Sequence, residues 1–244
     1  MADLEKSCRA LYEQAFGVSP AFDDALFQYA MPQYLCVIAE GDQPQSMLFS
    51  IPYALVSENG KEEARYLYAV ATDKAHRGKG LATALLKRVI AKGQPLFLRP
   101  SSPSLFAFYQ AAGLKPVSPV RILTGEADAG GAILPLKSLS PEAYLAARGA
   151  FLKPPYAEPT AAFLSLGYLN GGAVSLAGEF AAFYERRGDL VLFKEWLGST
   201  DLAPRVAACL GADRYELRTP CKEGEPFGVA ANCPNDFTFL IALD

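Results

Sequence analysis

A single histidine, His76, serves a chain of 244 residues. Cysteine is little better represented: five residues, at positions 8, 36, 209, 221 and 233, with no C-x-x-C pair among them. That scarcity argues against a zinc site, and the odd count with wide spacing argues against a disulfide framework. Free, buried thiols are the expectation. No apolar run reaches the length of a membrane span. No basic tract or one-signed tail occurs either, and 23 basic against 26 acidic residues give a net charge of -3. Nucleic acid and anionic membrane are therefore poor main partners. The opening stretch MADLEKSCRALYEQAF is amphipathic and acidic from the third residue, unlike a signal peptide, so a cytoplasmic location is expected.

What is present is apolar surface and order. Half the residues are hydrophobic (51%), enough for one large domain or two small ones. Residues 3–15 carry Leu4, Cys8, Leu11 and Tyr12 at helical steps, and Ser19-Pro20 opens a second helix that Pro32 stops. Three strands follow, at 34–40, 46–56 and 65–72, with Asn59-Gly60 as a hairpin turn. Leu81, Leu85 and Val89 then mark a buried helical stripe closed by Gly93, a short strand spans 95–100, and a helix runs from Ser104 to Gly113. Further strands are expected at 115–125 and 131–139. From about residue 140 the pattern restarts: a helix at 141–152, a hairpin of 173–185 with 190–197, a helix at 199–210, and strands at 214–220 and 237–243. This is an α/β chain with mixed sheet, and the echo between halves is one of element order, not of letters.

The stretch ATDKAHRGKGLATALL (71–86) holds the chemistry. A helix N-terminus leaves amides unpaired and carries partial positive charge. Glycines let several amides converge on one anion, and Arg77 and Lys79 add charge. The set reads as a phosphate cradle. It is neither a P-loop, since Gly80 rather than Ser or Thr follows Lys79, nor a dinucleotide fingerprint, since no third glycine stands at 83.

Arg77-x-x-Gly80-x-Ala82 resembles the R/Q-x-x-G-x-G/A signature of the GNAT superfamily of acyl-CoA-dependent N-acetyltransferases, and FYQAAGL (108–114) resembles that family's second motif, F/L-Y-x-x-x-G-F/L. The resemblance covers residues 3–137. It implies a GNAT fold at 1–137 that uses acetyl-CoA as co-substrate, with no metal. It implies that Arg77, Gly78, Lys79, Gly80, Leu81, Ala82 and Thr83 hold the pyrophosphate. Val70, Ala71 and Thr72 would lie along the pantetheine and acetyl group, and Tyr109 would protonate the departing thiolate. The openings LYEQAFG and SMLFSIPY look like two-lobed, Eis-like members, whose second lobe is GNAT-like without a CoA signature. Residues 138–244 lack that signature and are expected to form such a smaller lobe. The reaction implied is acetyl transfer to a primary amine by direct attack, on a small-molecule or peptide acceptor. A silent acyl-CoA sensor or a protein-docking module is the alternative, and the apolar hairpins would allow a homodimer.

Several residues stay open. His76 reads as structural. Arg99 suits an acceptor carboxylate or bare solvent; Phe193 and Trp196 suit a hairpin core or an acceptor wall. The strand 65–72 offers no acid, so the base is unassigned among Glu40, Glu195 and Asp244.

Overall fold

The computed structural model describes residues 2–242. They form two compact units. The first takes the chain through Leu55, then Gly60–Pro116 and Gly228–Asn235; the second takes Val56–Asn59, Val117–Phe227 and the chain from Asp236. The break thus falls at Pro116/Val117 where the sequence places it at 137/138. The reason is the long strand that begins at Lys115: its residues 120–126 pair within the second unit. The second unit is as large as the first, not a reduced lobe.

The first unit runs α1 (Ala2–Phe16), α2 (Pro20–Ala30), β1 (Leu35–Glu40), β2 (Gln43–Ser57), β3 (Gly60–Thr72), a 3-10 turn (Lys74–His76), α3 (Leu81–Ile90), β4 (Leu96–Leu98) and α4 (Leu105–Ala111). β1 and β2 are antiparallel, with Leu35 opposite Phe49. β3 and β4 are parallel but pair only at Arg65↔Leu96 and Tyr66↔Phe97. Beyond Tyr66, β3 has no further ladder partner on that side among the described residues. Its side chains change phase there as well: 64 and 66 are buried, then 67, 69 and 71. Two residues further on, Ala69 has φ of 54°, in the left-handed region that a non-glycine strand residue seldom adopts. Residues 229–231 close β4 from its other side, Val229 opposite Leu98 and Ala231 opposite Leu96, antiparallel.

α3 forms because its apolar stripe has a core to enter. Leu85, Leu86 and Val89 pack with Leu48, Leu67, Leu96 and Leu114. Burying each leucine contributes about 2 kcal/mol. Gly93 ends the helix at φ 78°, and the Asn232 amide donates to the carbonyls of Ile90 and Gln94.

The second unit runs β5 (Lys115–Glu126), β6 (Lys137–Leu139), α5 (Pro141–Arg148), β7 (Tyr156–Pro159), α6 (Ala161–Gly167), β8 (Gly171–Leu176), β9 (Phe180–Arg187), β10 (Leu190–Gly198), α7 (Ala203–Cys209), β11 (Arg214–Pro220) and β12 (Glu225–Ala231), whose last residues belong to the first unit. β8, β9 and β10 form an antiparallel meander, and β11 lies parallel to β10 over 190–193. Two helices, three antiparallel strands, a helix and a parallel fourth strand therefore occur in each unit. Several sequence expectations change here. Of the strand expected at 131–139, only Lys137–Leu139 is one. The stretch 173–185 is two strands, turned at Gly178 with φ 77°. The stretch 237–243 is not a strand over its described residues; Thr238 makes one isolated bridge, to Tyr156. Finally, β7, α6 and β12 are absent from the expected elements.

Phe193 and Trp196 are core residues. Trp196 stacks on Phe180 at 4.5 Å, meets Phe193 edge-on at 4.9 Å and donates its indole N–H to Ser199 O. Beside them in sequence, Glu195 is fully buried, gripped by Arg148 and by the Tyr144 hydroxyl at 2.7 Å.

Candidate active site

The gap beside β3 opens into a cleft of about 590 Å³, within the size range of small-molecule sites. Its floor is the end of β3, Val70 to Thr72. One wall is the loop and the first turn of α3, from His76 to Thr83. The facing wall is α4, through Leu105, Phe108 and Tyr109, and Ala15 and Phe16 close it from α1. The structure thus gathers Val70, Ala71, Thr72, Arg77, Gly78, Gly80, Leu81, Ala82, Thr83 and Tyr109 on one cavity. Lys79 does not line it and points into solvent. Arg99 does not line it either.

Local chemistry shapes the loop. Asp73 caps the 3-10 turn: its Oδ1 accepts from Ala75 N–H at 2.9 Å and lies 3.0 Å from His76 Nδ1. His76 and then the Ala75 amide hold the Asp73 carboxyl below its ordinary range. His76 is therefore a brace for the loop, in line with its structural reading. Arg77 Nε donates to Thr72 O at 3.2 Å, clipping the loop to the strand end while its guanidinium stays exposed.

Gly78 and Gly80 sit at φ 77° and 75°, and a Cβ on either would meet nothing within 4 Å. Conformation, not space, demands glycine there. Gly80 precedes α3 directly, and the first helical bond runs from Ala84 N–H to Gly80 O at 2.9 Å. The amides of Leu81, Ala82 and Thr83 consequently have no acceptor within the helix, and no side chain caps them. They face a cleft with Arg77 beside it. This is a site built for an anion.

Behind the floor, Ser46 is fully buried on β2. Its hydroxyl donates to Ala71 O at 3.0 Å and lies 3.1 Å from Thr72 Oγ1. With the bond from Asp73 N–H to Gln45 O, it fixes the end of β3. Sequence reasoning missed Ser46, because its role depends on a partner 25 residues away. Phe16 and Phe108 were missed as cleft walls, though Phe108 stands next to Tyr109.

Tyr109 is 7% exposed, and its hydroxyl makes no hydrogen bond among the described residues. Burial pushes its pKa up to about 12. It therefore remains a proton donor through the whole neutral range. Of the three acids left open as bases, neither of the two described ones lines the cleft. Glu40 is exposed at the end of β1, Glu195 is held by Arg148 in the second unit, and Asp244 lies outside the described residues.

A pH prediction follows from the buried acids of the fold. Burial raises Tyr109 and Tyr168 to about 12, and Cys233 likewise to about 12. Their folded pKa values exceed the unfolded ones, near 10 for Tyr and 8.5 for Cys. Above those values the unfolded chain binds fewer protons than the native one, so stability falls as pH rises. Thermal melts are expected to hold their midpoint up to about pH 8.5 and to lose it steadily toward pH 12. A midpoint flat across that range would contradict these shifts.

Comparison with known proteins adds the family. A family model described as the acetyltransferase (GNAT) domain matches residues 2–116. No protein with a curated description matches the sequence. Among solved structures, a GCN5-related N-acetyltransferase from Anabaena variabilis superposes with a TM-score of 0.68 at 14% identity, over 94% of this chain and 70% of that one. A probable N-acyltransferase from Enterococcus faecalis gives 0.67 at 14%, over 93% and 69%. Eis1 from Mycobacterium abscessus gives 0.60 at 14%, over 91% and 65%. At such identity these likenesses speak for the fold, and they extend over both units. Glycine-built anion cradle, parted parallel strands and family match coincide on one stretch of chain: residues 2–116 are what matches the acetyltransferase (GNAT) domain.

Proposed function

We propose that the protein transfers an acetyl group from acetyl-CoA to a primary amine of a small molecule or peptide. The observation that carries this reading is the meeting, in one cleft, of an open strand edge with unpaired helix amides. An extended pantetheine arm needs the first, and a pyrophosphate needs the second. Arg77 and the amides from Gly78 to Thr83 would hold the pyrophosphate. Val70 to Thr72 would hold the arm, and a main-chain N–H there would polarise the thioester carbonyl as negative charge develops on its oxygen. The amine attacks directly, and Tyr109 gives its proton to the departing sulfur. Alignment of the two substrates supplies much of the rate.

The second unit, in this reading, is a GNAT-like lobe with no cofactor site of its own. Only four residues, 199–202, separate β10 from α7, against eight between β3 and α3. α7 also carries a proline, Pro204, in its first turn, which removes an amide where a cradle would need one. All five cysteines are unpaired, as suits a reducing cytoplasm.

Tyr109→Phe tests the chemistry. Loss of a general acid is expected to lower kcat by about 100-fold. Affinity for acetyl-CoA, read by calorimetry, should stay within about twofold, because the cradle is untouched. Acetyl-CoA that binds but releases no thiol with any amine would sink the transfer reading.

A further inference from the structure

No acid lines the cleft among the described residues, yet an acceptor amine is a cation at neutral pH. It must shed a proton before its nitrogen can attack. The first unit holds one buried carboxylate whose position the fold explains only in part. Asp23, in the first turn of α2, is 1% exposed. Its Oδ2 accepts from Ser19 N–H at 2.8 Å, one half of a helix-capping exchange. Its Oδ1 is buried and has no hydrogen-bond partner among the described residues. Capping needs one oxygen and accounts for one; a dry carboxylate oxygen is costly to keep.

Two phenols share this pocket of the core. Tyr12 on α1 is 3% exposed, and its hydroxyl lies 3.5 Å from that of Tyr68 on β3, where either can donate. The charge of Asp23 acts on both. Tyr66, stacked beside Tyr68 at 6.1 Å, is the other titratable group acting on the pair. No cation is among these groups: Arg9, on α1, is bound by Asp24 at 2.6 Å and Glu13 at 3.0 Å and lies over the Phe27 ring. Burial, first of all, keeps both phenols protonated at neutral pH, so they can pass a proton along but not hold the negative charge. The cluster abuts the cleft on two elements. The Tyr12 ring lies 5.1 Å from that of Phe16, a cleft wall, and Tyr68 stands two residues before Val70, on the cleft floor.

We propose that Tyr68, Tyr12 and Asp23 form a proton relay that carries the proton of the acceptor ammonium to Asp23 Oδ1. The proposal rests on the acyl-transfer reading above. An ammonium N–H bond breaks, and its proton joins the Tyr68 oxygen as the Tyr68 proton passes to Tyr12 and the Tyr12 proton to Asp23. The nitrogen keeps the electron pair and attacks the thioester carbon. The C–S bond breaks, and the sulfur takes its electrons and the Tyr109 proton. The surplus proton on the new amide nitrogen restores Tyr109 through solvent, and Asp23 later returns its proton to solvent by the same chain. One proton is released per turnover, as the sum of the reaction requires. Asp23 and Tyr12 act through Tyr68 and are positioning and proton-holding residues.

The test uses two kinds of nucleophile with acetyl-CoA and thiol-release detection. One is the best acceptor in a panel of benzylamine, spermidine and a lysine peptide, all cations at pH 7. The other is hydroxylamine, which is already neutral at that pH. Asp23→Asn is expected to lower kcat/KM for the cationic amine about 100-fold at pH 7. The loss should shrink toward pH 9.5, as free amine becomes abundant, while hydroxylamine turnover and acetyl-CoA affinity hold within about threefold. Tyr68→Phe should give the same pattern, and it decides the matter should the Asp23 variant fail to fold for want of its cap. A loss equal for both nucleophiles and flat with pH, or no loss, overturns the relay while leaving acyl transfer standing. A wild-type protein that acetylates none of these nucleophiles overturns the transfer reading, and the relay with it.

Discussion

Arg77→Glu is expected to weaken acetyl-CoA binding by at least about 100-fold in calorimetry while leaving the fold intact. Two facts separate those effects. Within the protein, Arg77 is exposed and gives one Nε bond, to Thr72 O at 3.2 Å. Exposed substitutions of that kind change stability by about 0.5 kcal/mol or less. Toward a bound pyrophosphate the same side chain would offer charged hydrogen bonds, each contributing about 1.5–3 kcal/mol. Glutamate removes these and adds repulsion, about 1 kcal/mol at 4 Å in water and about 4 kcal/mol near a protein surface. The sum, at least about 3 kcal/mol, corresponds to roughly two decades of affinity. Equal binding by both proteins would show that the loop before α3 does not hold the pyrophosphate. Binding by neither would turn the search toward ligands other than acyl-CoA.

The second large effect belongs to stability. Arg148→Met or Glu195→Leu alone is expected to cost about 3–5 kcal/mol, because each leaves a buried charge without its partner. Arg148 is 1% exposed and Glu195 fully buried. The guanidinium meets the carboxylate at both oxygens, Nε to Oε2 at 2.6 Å and Nη2 to Oε1 at 3.0 Å. Tyr144 donates to Oε2 at 2.7 Å, and Arg148 Nη2 also donates to Ala157 O at 3.1 Å. The double variant should recover most of the loss, since both charges then leave together. Recovery should be incomplete, because Tyr144 and the Ala157 carbonyl lose partners. Urea melts at constant slope would read all three variants. Additive losses in the double variant would contradict the pairing.

The cradle was legible in the sequence because its chemistry is local. Two left-handed glycines, an arginine and a helix start lie within six residues, and no distant partner is needed to see them. The cleft walls from α1 and the Ser46 clamp depend on neighbours far along the chain, and nothing in their own surroundings marks them. Misread elements have a common cause. Residues 237–242 are mostly apolar and were expected to be a strand, but Phe237, Phe239, Leu240 and Ile241 are buried outside any strand; Thr238 makes one isolated bridge, and Ser118 Oγ holds the Phe239 N–H and carbonyl. Apolar runs report burial; pairing depends on what lies alongside. β12 is hard to see in sequence for the opposite reason, since Gly224, Pro226 and Gly228 break up its apolar pattern. The start of α6 is masked by the prolines at 154, 155 and 159 just before Thr160, whose hydroxyl caps the helix at Phe163 N–H. The order hairpin, helix, strand was visible in both halves, but the second helix and the split of 173–185 into two strands were not, nor was the return of 228–235 to the first unit, which follows from pairing rather than pattern.

That return sets the order of birth. β4 has three residues and receives its antiparallel neighbour only from 229–231. A ribosome therefore delivers the cradle, the tyrosine of α4 and nearly all of the second unit before the last strand of the first sheet exists. Domains commonly fold as soon as they emerge. Here the N-terminal unit must wait with an unpaired edge, and unpaired edges recruit other chains. The stretch 2–116 matches the family's domain, but in time, as in hydrogen bonds, it is finished by residues 229–231.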